Sequence, residues 1–205
     1  MIESANHDNK LPQSFYLQDT LSVARKLLGK TFVKVEKDKI LAGKIVETEA
    51  YKGDCDESAH SYRGITKRNE VMFEEGGLLY VYFTYGVHFC ANVVTEAKGV
   101  GNAVLLRAME PVEGIEVMSL RRFKKKVPDV KEKRNLLNGP GKICQAFGLG
   151  REFNGFDLNS PSLFILNNPD IPREQIITTT RIGIKKSIDL PWRFYIKNNE
   201  FISRK

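Results

Sequence analysis

Leu41-Ala-Gly-Lys-Ile-Val-Glu-Thr-Glu-Ala-Tyr51 sets two carboxylates and a phenol in an apolar strand pattern. Preceded by Thr31-Phe-Val-Lys-Val-Glu36 and the polar turn Lys37-Asp-Lys39, it reads as the second strand of a hairpin. Side chains alternate across a strand, so Ile45, Glu47, Glu49 and Tyr51 share one face and Val46, Thr48 and Ala50 the other. Two carboxylates and a phenol beside apolar residues admit two readings. Either the strand lies at an edge with its acids in water, the common fate of glutamate, or it carries the polar groups of an active site.

Before this hairpin, Asp19 or Thr20 caps a short helix bearing Leu21, Ala24, Leu27 and Leu28, and Gly29 ends it. Residues 1–14 are expected to be loosely ordered, and 15–205 to form one domain. A loop from Lys52 to Asn69 carries His60, Arg63, Lys67 and Arg68; its length suits either a functional element or a mobile connection. Leu78 to Tyr85 and Val87 to Val94 read as strands on either side of Gly86, and Ala103 to Met109 as a buried strand ending before Pro111. Glu113 to Phe123 has helical spacing, and 124–134 reads as a charged loop. Asn138-Gly-Pro-Gly-Lys142 feeds a helix over Ile143 to Phe147, whose free amides, with Lys142 alongside, suit a phosphate. Short strands are expected near Leu163 to Leu166, Thr179 to Ile184 and Trp192 to Ile196.

The balance of 32 Lys and Arg against 25 Asp and Glu, a net charge of +7, favours a polyanionic partner. Cys55, Cys90 and Cys144 lack paired metal-ligand spacing and their odd number fits a reducing compartment better than a disulfide framework. Structural zinc is not expected. No apolar run approaches the roughly 20 residues that span a bilayer, and the polar start has no signal-peptide pattern, so an intracellular protein is expected.

Tyr80 and Tyr82 share a strand face and suit core packing, whereas Tyr85, beside Gly86, can project from a turn and stack on nucleic-acid bases. Arg107 closes an apolar strand; if buried it needs an acidic partner, for which Glu49 is a candidate. Asn92 interrupts another apolar strand, so its amide needs partners as well. His60 has no CxxC to make a zinc deaminase, Glu47 and Glu49 are weak support for glycosidase chemistry, and no P-loop, dinucleotide fingerprint or GxSxG elbow is present. The residues alone lead to a basic intracellular enzyme or nucleic-acid binder.

Taken as a collinear series, Val46-Glu-Thr-Glu-Ala-Tyr51, Ala59-His-Ser61, Arg68-Asn69 with Met72-Phe73, Leu79-Tyr-Val-Tyr82, Tyr85-Gly86, Phe89-Cys90, Asn92, Leu105-Leu-Arg-Ala108, Glu110-Pro111 and Gly139-Pro140 with Lys142 resemble the alkyladenine (3-methyladenine) DNA glycosylase family, bacterial type. The match runs from about residue 15 to 196. It implies an α+β fold, a single compact domain with a curved, largely antiparallel β-sheet surrounded by short helices. It implies a base-excision repair enzyme that flips alkylated purines from duplex DNA and hydrolyses the N-glycosidic bond without metal or other cofactor. The expected partner is double-stranded DNA carrying damaged purines, approached by a monomer in the bacterial cytoplasm at the nucleoid.

By position, Glu49 resembles the general base that activates water, Arg107 the arginine that helps hold that water and the carboxylate, and Ile182 the residue whose backbone carbonyl completes the water site. Tyr51, His60, Tyr82 and Asn92 match the pocket for the extruded base, and Tyr85 the wedge that fills the vacated stack. Arg63, Lys67, Arg68, Lys142 and Arg181 are candidate backbone contacts. Glu47 is given no role. No lysine matches a Schiff-base position, so a monofunctional enzyme is expected. Val87 and His88 stand where vertebrate members have Met and Tyr, and the loops 60–72 and 95–102 depart from the vertebrate lengths.

Overall fold

The computed structural model describes residues 9–84 and 86–204. The chain opens with two short helices, α1 (Gln13–Tyr16) and α2 (Thr20–Lys26), then forms the hairpin β1 (Thr31–Glu36) and β2 (Lys39–Tyr51). A looped segment ends in one 3-10 turn and leads to β3 (Leu78–Thr84), β4 (His88–Thr95) and β5 (Asn102–Glu113). Three helices follow, α3 (Ile115–Phe123), α4 (Val130–Asn135) and α5 (Pro140–Phe147), then β6 (Phe156–Asp157), β7 (Leu163–Leu166), β8 (Ile176–Thr179) and β9 (Arg193–Ile196). The strands make one curled antiparallel sheet in the order β6-β3-β4-β5-β2-β1-β7, with β9 joining β2 to β8.

β2 is central, which removes the edge-strand reading. It pairs with β5 along most of its length, with β1 over Lys39 to Lys44, and with β9 over Glu47 to Glu49. Every residue from Ile45 to Ala50 is buried. On one face α2 covers the strand: Val23, Ala24, Leu27 and Leu28 are fully buried, and the Thr48 hydroxyl donates to the Ala24 carbonyl at 2.8 Å. Each large apolar side chain so buried contributes about 1.5–3 kcal/mol to the hydrophobic term. Asp19 caps α2 by accepting from the Ser22 amide at 3.0 Å, and Gly29, at φ +85°, supplies the left-handed turn that ends this segment.

Three expected boundaries move. β5 runs through Pro111: Gly43 pairs with Pro111 and Ala42 with Glu113, so Val112 bulges out and the imide without an N–H is tolerated at an irregular ladder. The 124–134 stretch is not all loop, because Asp129 and Glu132 close a reciprocal capping box that nucleates α4. The strand expected over Thr179 to Ile184 stops at Thr179; the following residues spend their polar groups on tertiary partners rather than on a ladder. Among the described residues, no helix is long and apolar enough to cross a membrane.

Candidate active site

A second irregularity in the β2–β5 ladder builds the site. Glu47 pairs with Ala108 while Thr48 pairs with Leu106, so Arg107 has no partner on β2 and Val46 none on β5, and the register is restored beyond them. Such an interruption of the ladder frees both backbones locally, as irregularities beside active sites often do. Here the guanidinium reaches both acids: Nε lies 3.3 Å from Glu47 Oε1 and 3.4 Å from Glu49 Oε1, and Nη1 lies 3.4 Å from Glu49 Oε2.

Both carboxylates are fully buried. Glu49 Oε1 also accepts from the Ile182 backbone N–H at 2.9 Å, and Oε2 from the Tyr51 hydroxyl at 2.9 Å. Burial drives the Glu49 carboxyl above the ordinary range; the charge of Arg107 and the two donated hydrogen bonds oppose this, and the Glu47 charge adds to it. Burial and the adjacent Glu49 charge likewise hold the Tyr51 hydroxyl firmly protonated, as a donor to that acid. The contact seen at Ile182 is therefore through its N–H.

In front of Glu49 opens a cleft of about 480 Å³. Tyr51, Arg107 and Ile182, the partners of Glu49, line it together with His60, Tyr82 and Asn92. The volume is that of a small-molecule site. Tyr80 and Tyr82 stack with ring centres 5.4 Å apart, and the His60 ring meets Tyr82 edge-on at 4.5 Å. His60 Nδ1 is 3.0 Å from the Tyr80 hydroxyl. The His60 ring is open to the cleft on one side, yet the protein packed on its other side and the Arg68 charge lower its pKa to about 4, so it is a neutral imidazole at physiological pH. Asn92 is buried and donates to the Tyr80 carbonyl at 3.1 Å.

The loop that carries His60 is held from within. Asn69, buried, accepts from the Thr66 amide at 2.6 Å and donates to the carbonyls of His60 and Gly64 at 2.7 and 3.1 Å. Ser61 donates to the Gly101 carbonyl at 2.5 Å. The segment after β8 packs beside it: Arg181 pairs through both terminal nitrogens with Asp56, with neither side chain exposed, and its Nη1 also donates to the Ala50 carbonyl at 2.9 Å. Its guanidinium lies 4.6 Å from the Tyr51 ring centre and 5.4 Å from that of Trp192.

The structure thus brings Glu49, Arg107, Tyr51, His60, Tyr82, Asn92 and Ile182 together. Arg181 stands apart from the expected group of backbone contacts, because it is buried and both its terminal nitrogens are engaged inside the protein. Arg63, Lys67 and Arg68 are exposed, with Arg68 5.7 Å from the Tyr82 ring centre, and Lys142 donates to Asn138 at 2.6 Å. Tyr85 lies outside the described residues. Sequence reasoning passes over Tyr80, Cys90, Lys185 and Lys186, all of which line the cleft. The i, i+2 relation of Tyr80 to Tyr82 is the available signal for the first; Lys185 and Lys186 carry none beyond their charge.

Among the described residues, no group of three or more His, Cys, Asp or Glu side chains is arranged to hold a metal ion. A curled sheet with a desolvated carboxylate behind an aromatic cleft, in a basic chain, fits a hydrolase of the DNA glycosylase class. The chain belongs to the methylpurine-DNA glycosylase family, whose model matches residues 14–200. A protein of Chlorobaculum tepidum named "Putative 3-methyladenine DNA glycosylase" is 48% identical over 196 residues, covering 95% of this chain and 91% of that protein. Proteins of the same name from Carboxydothermus hydrogenoformans and Methanoculleus marisnigri are 48% and 47% identical, each covering 95% of this chain and 99% of its relative.

Proposed function

We propose that the protein hydrolyses the N-glycosidic bond of alkylated purines extruded from duplex DNA, with Glu49 activating the attacking water. The observation that carries this reading is the buried Glu49 carboxylate, held by Arg107, Tyr51 and the Ile182 N–H directly behind an aromatic cleft. Breaking an N-glycosidic bond builds positive charge on the sugar, and an anion in a desolvated site stabilises that charge as well as accepting the water proton. The two contacts from Arg107 to Glu49, both 3.4 Å, are long for charge-assisted hydrogen bonds, so the carboxylate is oriented without being saturated.

Substrate choice follows from the rings. An alkylated purine is cationic and electron-poor, so the π faces of Tyr51 and Tyr82 favour it by about 0.5–2 kcal/mol per contact over a neutral base. Neutral His60 adds no positive charge to repel it. Buried Asn92, anchored to the Tyr80 carbonyl, presents a fixed amide that crowds the exocyclic amino group of normal guanine. Tyr85 is the residue we assign to the vacated stack. Arg63, Lys67, Arg68 and Lys142 are assigned to the DNA backbone, where contacts position a duplex without reading its sequence. The enzyme in this reading is a monomer, works at the bacterial nucleoid and leaves an abasic site without cleaving the strand.

The test is base release. Incubated with methylated duplex DNA, the protein releases methylpurines, and Glu49→Gln lowers the single-turnover rate by roughly 10²- to 10⁴-fold while lesion binding survives. Wild-type turnover by Glu49→Gln would sink the assignment of the base, and release of nothing from methylated DNA would sink the function.

A further inference from the structure

Glu47 is the buried acid that the proposed reaction leaves unused, and its surroundings are built with as much care as those of Glu49. Arg193 Nε donates to Glu47 Oε1 at 2.6 Å, the Ser203 amide donates to Oε2 at 2.6 Å, and the Ser203 hydroxyl reaches Oε1 at 3.0 Å. The same hydroxyl accepts from Arg107 Nε at 3.2 Å. Arg107 Nε therefore sits between two acids and a hydroxyl on nearly equal terms, 3.3 Å to Glu47, 3.4 Å to Glu49 and 3.2 Å to Ser203, while Nη1 keeps a long 3.4 Å contact to the other Glu49 oxygen.

An arginine given to one carboxylate alone closes on it in a bidentate pair with short bonds, and such a partner is a poor base because the ion pair must loosen before a proton is accepted. The division seen here prevents that closure. We propose that Glu47 is a positioning residue: together with Ser203 it draws Arg107 away from Glu49, leaving Glu49 oriented by the guanidinium but free to take a proton from water. The inference rests on the reading of Glu49 as the base.

Among the described residues, the groups that face Glu49 from the packed elements are few. They are Arg107 from β5, Tyr51 and Glu47 from β2 itself, and the Ile182 amide from the segment after β8. Arg193 from β9 stands opposite Glu49 in the ladder but gives its guanidinium to Glu47, and Ser203 touches Glu47 and Arg107. Glu47 raises the proton affinity of Glu49 directly through its charge, and indirectly through its hold on Arg107. Neutralising Glu47 removes both influences in the same direction.

The experiment is the pH dependence of single-turnover base release from methylated duplex DNA by wild type, Glu47→Gln, Ser203→Ala and Glu49→Gln. Glu47→Gln is expected to move the acidic limb down by about one pH unit and to lower the plateau roughly tenfold, as a weaker base gives a slower proton transfer. Ser203→Ala keeps all four charges and is the variant that decides the matter if Glu47→Gln does not fold. It frees Arg107 to approach Glu49 and is expected to shift the limb the same way by about a few tenths of a unit. A limb that stays at its wild-type position in every folded variant of the two overturns the proposal, even if the rates fall. Glu49→Gln separates the two levels of argument: inactive, it leaves the base in place so that only the tuning is at stake; active at the wild-type rate, it removes both.

Discussion

Two glutamates stand two residues apart on one strand, face the same way, are equally buried and touch the same arginine, yet they belong to different parts of the molecule. β9 pairs along both residues, but its Arg193 side chain and residues 201–204 close over Glu47, whose carboxylate receives short bonds from Arg193 and Ser203. The Glu49 end opens towards the cleft and is held by longer contacts to Arg107, one amide and one phenol. Charge satisfied from several sides makes structure, while charge left partly satisfied suits the role of base that we propose for Glu49. The same residue type serves either end, and the neighbouring elements decide which.

The largest separation between the two ends should come from removing each charge. Glu49→Gln is expected to cost most of the activity and little stability. A carboxyl raised above its unfolded value binds its proton more tightly in the folded state, so its contribution to stability is greatest below the unfolded value and is lost as pH rises through the folded one. The glutamine variant should accordingly show a flatter dependence of melting temperature on pH across that window, with no loss at pH 8. Thermal unfolding across pH checks this, and a steep loss of stability in Glu49→Gln at pH 8 would contradict it.

The support behind Ile182 comes next. Asp56→Asn leaves the Arg181 guanidinium buried without its counter-charge, a change that costs roughly 3–5 kcal/mol and lowers the melting temperature by about 10 °C or more in a chain of this length. Because Arg181 immediately precedes the amide that holds Glu49, the damage should fall on base release beyond the loss of folded protein. Glu47→Gln should cost less, near the lower end of that range. The Arg107 side chain keeps 11% exposure and a second acid, which Arg181 lacks, and Arg193 keeps the Arg204 carbonyl and the face of the Tyr195 ring. Denaturant titration of the two variants side by side gives the order; a reversed order would mean that the closed end of β2 is not the more forgiving of the two buried sites.

Much of this architecture is legible in the sequence alone. The hairpin, the capped α2, the β3–β4 pair and the helix after Gly139 follow from alternation and turn chemistry, and the collinear motifs place Glu49, Tyr51, His60, Tyr82, Asn92 and Arg107 in one site. Period-two alternation cannot separate Glu47 from Glu49, because the difference between them is made by residues 193–204, some 150 positions away in sequence. Nor can it foresee that the ladder skips Arg107 and Val46, since a local mismatch between two strands belongs to neither alone. Arg181 reads like any basic residue of a DNA-binding protein; only the packing of Asp56, Tyr51 and Trp192 around it makes it internal.

The finest test of the comparison is Tyr51→Phe. The hydroxyl donates to Glu49 Oε2 at 2.9 Å, a bond that favours the ionised acid and opposes the desolvation raising its pKa. Removing it leaves the ring, and so the stacking surface of the cleft, but withdraws a hydrogen bond to a charged group that is worth about 1.5–3 kcal/mol. The acidic limb of base release should then move up by about one pH unit, opposite in sign to the shift expected for Glu47→Gln. At pH 7 the loss should be modest, roughly tenfold or less, and it should recover as pH rises. Two conservative substitutions on one strand, one on each side of the same carboxylate, would then displace one ionisation in opposite directions. A common direction for both would mean that generic loosening of the site, rather than the balance of donors and charges around Glu49, governs the profile.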